Sequence, residues 1–185
     1  MSAEQGKVLL AIARAAISSA LNIPRVADES APWLAEQGAC FVTLTRRGQL
    51  RGCIGSLQAH RPLLADVKQN AVAAALRDPR FPPLSQAELD TTEVEISLLS
   101  PIQPMSFHDE ADALAQLRPG VDGVIFESGP YRSTYLPQVW EHFSQPRQFL
   151  ASLKNKAGLP GDFWADGIKL SRYTVTKWKE SDTIS

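Results

Sequence analysis

Apolar residues recur at helical spacing near the start of the chain, where Val8, Leu9, Ile12, Ala15 and Ala16 form one stripe and predict a helix over about 3–20. Ser2 and Gln5 stand at capping-box spacing before it, and Ile23-Pro24 ends it. Residues 25–38 mix prolines, charges and Trp33 without a sustained period, which predicts a connection with one short helical turn. The pattern then changes to alternation. Cys40 to Thr45 is rich in β-branched and aromatic residues, Arg47-Gly48 supplies a tight turn, and the run to Gly55 reads as the return strand of a hairpin. Pro62 opens a second helix with Leu63, Val67, Ala71 and Ala74 inward. That helix cannot pass Asp78-Pro79, because the residue before a proline is driven out of the α region. Val94, Ile96 and Leu98 alternate with Glu93, Glu95 and Ser97, giving a strand over 92–99.

Two prolines in 100–104 mark the best candidate for a lobe boundary. Beyond it, Ser106 is placed to cap a short helix at about 109–117, which Pro119-Gly120 stops. Residues 121–128 and 131–136, joined through Gly129-Pro130, read as a second hairpin. Pro146 starts a helix that Gly158 ends, and 168–178 reads as one long final strand whose alternation slips near Tyr173, as at a bulge.

Composition narrows the function classes. The chain has 185 residues, 44% hydrophobic and 21% charged, enough for a substantial core. Nineteen basic and twenty acidic residues leave a formal charge of −1, so no chain-wide field attracts nucleic acid or anionic membrane. No apolar run approaches the roughly 20 residues of a membrane span, and the start lacks a signal-peptide pattern, so the expected location is the cytoplasm. Cys40 and Cys53 are too few for a disulfide framework or a structural zinc site, and free thiols are expected unless the hairpin register brings them together. His60, His108 and His142 lack metal-ligand spacing, and phosphate-loop, zinc-helix and serine-elbow motifs are absent, so no metal or cofactor is expected.

The unusual chemistry lies in Leu50-Arg51-Gly52-Cys53-Ile54-Gly55. Strand alternation puts Arg51 and Cys53 on one face, where a guanidinium favours the nucleophilic thiolate or forks onto an anion. Gly52 and Gly55 signal a bulge or the close approach of a ligand or another backbone. A packing reading fits the same residues: the glycines make room for a neighbouring element and Cys53 is a small buried hydrophobe. The proline-rich Arg77 to Leu84 run, carrying Asp78, Arg80 and Phe81, reads either as the wall of a binding pocket or as a loop stiffened by its own ion pairs. Glu93 and Glu95 would lie near Arg51 if their strands are neighbours; otherwise they form a solvated face.

That hexapeptide, followed in order by Arg77 to Leu84, Tyr135-Leu136-Pro137-Gln138-Val139, Leu153 to Gly158 and Ile168 to Tyr173, resembles the AMMECR domain family across nearly the whole chain. In bacteria and archaea the family is also called AmmeMemoRadiSam system protein A. The resemblance implies a single α+β domain, mainly antiparallel sheet flanked by helices, with the signature near a cleft between two lobes. The larger is expected at about 1–103 with 141–185 and the smaller at about 104–140. Ser56 and Asp122 depart from residues common in the family. The resemblance implies no established reaction, and places Memo-like and radical SAM proteins among the expected pathway partners.

Two readings follow. In one, Cys53 is a nucleophile and Arg51 its anchor or activator, with Gly52, Gly55, Asp78, Arg80 and Phe81 binding a small molecule or modified side chain. In the other, the same surface recognises a peptide or partner protein without chemistry. A nucleic-acid-associated role ranks third. The common geometric expectation is that the 77–84 loop folds back beside the hairpin, that Asp78 pairs with Arg51 or Arg80, and that Cys53 is mostly buried beside a pocket.

Overall fold

The computed structural model describes residues 3–183, so Ser2 of the expected capping box lies outside the described residues. The chain folds as two compact units, 1–99 with 176–185, and 100–175. Residues 141–175 therefore belong with the second unit, whereas the sequence groups them with the larger lobe.

In the first unit, helix α1 (Ala3–Ala20) and helix α2 (Leu63–Leu76) pack together over a sheet in the order β2 (Gln49–Gly55), β1 (Cys40–Arg46), β3 (Thr92–Leu99), β8 (Val175–Lys179). Both helices carry the stripes that their periodicity requires. Leu9, Ile12 and Ile17 meet Cys40, Val42, Leu44, Val67, Ala71, Val94 and Ile96 in one apolar core. Gly6 admits the Trp178 ring, which a Cβ there would strike. Arg14, which helical periodicity leaves toward solvent, instead reaches Glu180 at 2.6 Å and the carbonyl of Leu89 at 3.2 Å, tying α1 to the end of the chain. A short 3-10 turn at Pro32–Ala35 interrupts the connection after α1.

The second unit holds the sheet β4 (Gln103–Pro104), β7 (Lys169–Tyr173), β5 (Gly123–Ser128), β6 (Tyr131–Tyr135), with α4 (Glu110–Gln116) and α5 (Pro146–Ala157). Its core stacks Trp140 on Phe149 at 3.8 Å between ring centroids. Asp109, not Ser106, caps α4, accepting from the amide of Asp112 at 2.9 Å. The expected single final strand is two: β7 belongs to the second sheet and β8 to the first. Thr174 between them bonds Ser100 through both of its backbone groups, so the slip in alternation at Tyr173 is a change of sheet and not a bulge. The described strand pairings are antiparallel in both sheets, and the architecture is α+β.

Candidate functional site

The hairpin turn sets the motif's geometry. Arg47 and Gly48 both take positive φ, 55° and 77°, as a two-residue turn between twisted strands demands. Pairing runs outward from it as Arg46 with Gln49 and Thr45 with Leu50, then jumps to Leu44 with Gly52. Arg51 is the extra residue of a β-bulge. The bulge breaks the simple alternation that would make Arg51 and Cys53 same-face neighbours and gives Arg51 its own direction. Past the bulge, Gly52 pairs with Leu44 and is buried under α2, where a Cβ would collide with the backbone carbonyl of Ala74.

Cys53 pairs with Thr43, on the sheet face opposite the helices. Its thiol is half-buried and lies 3.3 Å from Thr43 Oγ1. Thr43 in turn pairs with Glu95 on β3, so thiol, hydroxyl and carboxyl residues occupy one row across three strands. The next row is Gly55, Phe41 and Ser97, in which the Phe41 ring fills the place a Gly55 side chain would take. Cys40, on the buried face, is fully enclosed and unpaired with Cys53. Burial pushes its thiol well above the ordinary range, and the nearby Asp66 carboxylate adds to this.

β2 is an edge strand, and the loop after α2 closes its edge at Cys53. The Cys53 amide donates to Asp78 Oδ2 at 3.0 Å, and Arg80 makes a long contact of 3.5 Å to the Cys53 carbonyl. Asp78, only 5% exposed, also accepts the Arg80 amide at 3.1 Å and grips the guanidinium at 3.0 and 2.7 Å. The Arg80 hydrogen bonds hold its carboxyl well below the usual carboxylate range. Of the two partners expected for Asp78, Arg80 is the one it takes. Phe81 lies 5.4 Å from the Arg80 guanidinium and 5.9 Å from that of Arg51.

Arg51 is held elsewhere. Its Nε and one terminal nitrogen fork onto Glu88 at 3.1 and 3.2 Å, and that same nitrogen donates to the Pro82 carbonyl at 2.8 Å. The remaining terminal nitrogen is buried and has no hydrogen-bond partner among the described residues. The Arg51 contact holds the Glu88 carboxyl down at about 2. Glu93 and Glu95 do not meet Arg51, because β3 pairs with β1 and not with β2.

Sequence reasoning missed Glu88 and Thr43, and it offered Glu95 to Arg51 where the structure pairs it with Thr43. Ser85 to Glu88 does carry a capping-box spacing, and helix α3 (Gln86–Leu89) forms there with both reciprocal bonds. Glu88 therefore caps its own helix while it holds Arg51. Asp122 is fully buried and takes the Arg118 amide at 2.8 Å and its guanidinium at 2.7 Å, a structural arrangement in the second unit. Among the described residues no group of three or more His, Cys, Asp and Glu gathers as a metal site, and no helix is long and apolar enough to cross a membrane.

Comparison with known proteins agrees with this architecture. The sequence model of the AMMECR1 family matches residues 10–178. The chain is 39% identical over 171 residues to a protein of Methanothermobacter thermautotrophicus, covering 90% of this chain and 88% of that one. It is 37% identical over 185 residues to Protein MJ0810 of Methanocaldococcus jannaschii, covering 97% and 92%. The crystal structure of the uncharacterized protein PH0010 from Pyrococcus horikoshii is similar at a TM-score of 0.81 and 33% identity, covering 97% of this chain and 93% of that one.

Proposed function

The chain belongs to the AMMECR1 family, and from that premise we propose that it is a cysteine-dependent enzyme acting on a small molecule or a modified amino-acid side chain, with Cys53 as the reacting group. The pathway setting we propose, on the strength of the family resemblance, is the AmmeMemoRadiSam group with its Memo-like and radical SAM proteins, in the cytoplasm. The observation that carries the reading is the half-buried Cys53 thiol, hydrogen-bonded to Thr43 on a strand whose backbone is pinned at that residue. A pinned backbone fixes the Cβ from which the sulfur projects, and placement of the nucleophile is one substantial part of catalysis. Thr43 can donate its hydroxyl proton to the sulfur once the thiol proton has left.

Glu95 supplies a carboxylate to receive that proton. It sits two strand spacings from Cys53, about 10 Å between main chains, with the Thr43 hydroxyl between them as the group through which the proton would pass. The charge near the thiol comes from Arg80, while Arg51 acts as the anchor of the bulge through Glu88.

The test is the rate at which iodoacetamide alkylates Cys53 at neutral pH, with buried Cys40 as the internal control. Labelling faster than a free-peptide thiol, slowed by Thr43→Val, supports the reading; a rate equal to the peptide's means a structural cysteine and ends it.

The pairing of Arg51 with Glu88 favours a second reading, a non-catalytic binding module, because it takes that guanidinium away from the thiol. Peptide addition along β2 is not the mode at Cys53, since Asp78 and Arg80 already occupy its edge groups. If Cys53→Ser complements a deletion strain fully while the fold and Arg51 are intact, recognition replaces catalysis.

A further inference from the structure

A cavity of about 460 Å³ opens in the first unit between α1, the connection after it and α2. It lies away from the Cys53 row, on the helix layer that covers the opposite face of the sheet. Its apolar wall is built from Ile12, Ala15 and Ala16 on α1 and Val72 on α2. Across the mouth stands Val26, 95% exposed, the least covered large hydrophobic among the described residues. A volume of this size is within the range of small-molecule sites, about 300–1,000 Å³.

The rim is cationic. Arg25, Lys68 and Arg77 line it against a single carboxylate, Glu29. Lys68 meets that carboxylate at 3.0 Å, which accounts for one of the three cations. Among the described residues Arg25 bonds Ser19 only through its backbone and the Arg77 amide serves the last turn of α2, so neither guanidinium has a described partner and both face a ligand. Two free forks at the mouth of an apolar hollow are complementary to an anion that carries an apolar tail.

We propose that this cavity binds a small amphipathic anion, an alkyl chain ending in a carboxylate or a phosphate, with the chain against Ala15, Ala16 and Val72 and the head group between Arg25 and Arg77. Ala15 and Ala16 put methyl groups on the α1 wall beside Ile12, an apolar surface for an alkyl chain. The site is independent of the chemistry at Cys53 and stands or falls without it.

The experiment titrates the full chain with decanoate, decyl phosphate and decanol below their aggregation thresholds, followed by amide NMR shifts and calorimetry. Saturable shifts at Ala15, Ala16, Val72 and Arg77 with either anion are expected, with decanol at least tenfold weaker. The double variant Arg25→Gln and Arg77→Gln should weaken the anions about tenfold or more, the loss of one or two charge-assisted contacts, and leave decanol unchanged. Ala16→Leu, which fills the hollow, should weaken all three. Tighter binding of decyl phosphate assigns the phosphate head, and tighter binding of decanoate the carboxylate. Equal affinity for decanol and the anions, or shifts confined to other residues, overturns the proposal, as does an arginine variant that binds like the natural chain.

Discussion

Gly52→Ala isolates what the motif's first glycine does. Gly52 does not have positive φ, so an alanine there suffers no backbone strain of its own; the whole effect is contact. The new Cβ would run into the carbonyl oxygen of Ala74, a main-chain atom in the last turn of α2 that cannot rotate away. To relieve the overlap, α2 and β2 must separate along the line on which they pack. Overpacking of this kind costs about 1–3 kcal/mol, and a backbone obstacle puts the substitution at about 2–3 kcal/mol. With an m-value of about 2 kcal/mol/M in urea, the unfolding midpoint of the first unit should fall by about 1 M. Gly55→Ala is the matched control. Its Cβ meets the ring of Phe41, a half-buried side chain that can move aside, so the cost should be nearer 1 kcal/mol. The displacement has a second consequence, because Ala74 lies one turn before Asp78, whose carboxylate holds the Cys53 amide. Gly52→Ala should therefore also change the alkylation rate of Cys53, while Gly55→Ala should leave that bond in place. Equal midpoints for the two variants, or a Gly52→Ala loss under about 0.5 kcal/mol, would refute the argument that Gly52 exists to admit the α2 backbone.

Three further outcomes follow from the charges and thiols. The Glu88 carboxyl is held at about 2 by Arg51, a folded value below the unfolded one, so its contribution is present above about pH 4.5 and is lost as pH falls toward 2. Glu88→Gln should lower the urea midpoint at pH 6 and converge with the natural chain near pH 2.5; a pH-independent gap would show that the ion pair is not the cause. Ellman's reagent should react with one thiol per native chain, Cys53, and with both only after unfolding, since Cys40 is fully enclosed; two fast thiols would contradict the hairpin register. In the second unit, Lys154 is 1% exposed and bonds Glu110 at 2.9 Å, so Glu110→Ala, which leaves the buried ammonium with only the Gly161 carbonyl at 3.4 Å and the Trp164 ring, should cost more than Lys154→Met, by about 1–2 kcal/mol in thermal or urea unfolding.

Local rules made much of the fold legible. Pro62, Pro146 and Gly158 mark helix ends because their backbones permit little else there: α2 begins after Pro62, α5 begins at Pro146 and α5 ends at Gly158. The Arg47-Gly48 turn was likewise readable, since two residues at positive φ between alternating runs define a hairpin. The site was less legible, and the reason is the bulge. Counted outward from that turn without a bulge, Cys53 would oppose Val42 and face the helix core, an inert thiol. The extra residue at Arg51 moves Cys53 opposite Thr43 and onto the other face. No periodicity announces that single-residue shift, because its cause is nonlocal: Gly52 must sit under the α2 backbone, and Arg51 must reach Glu88 on another helix. The change of sheet at Thr174 was hidden for the same reason, its bonds being to Ser100, far along the chain.

The glycine-flanked cysteine and the proline-rich run, separate in the sequence, are one construction. An edge strand leaves alternate amides and carbonyls unpaired, and Cys53 presents both of its groups to that edge. Another strand could satisfy them, but Pro79, Pro82 and Pro83 have no N–H to donate, so the segment that returns along β2 cannot extend the sheet. Asp78 and Arg80 make up the deficit with side chains, one accepting and one donating, and their mutual ion pair fixes both. Pro82 contributes its carbonyl to Arg51, which needs no N–H, so the same segment anchors the bulge that turns Cys53 outward. The proline content and the motif's register are therefore coupled: each residue that denies the loop a place in the sheet forces the edge of β2 to be closed by Asp78, at the one residue whose thiol is left accessible.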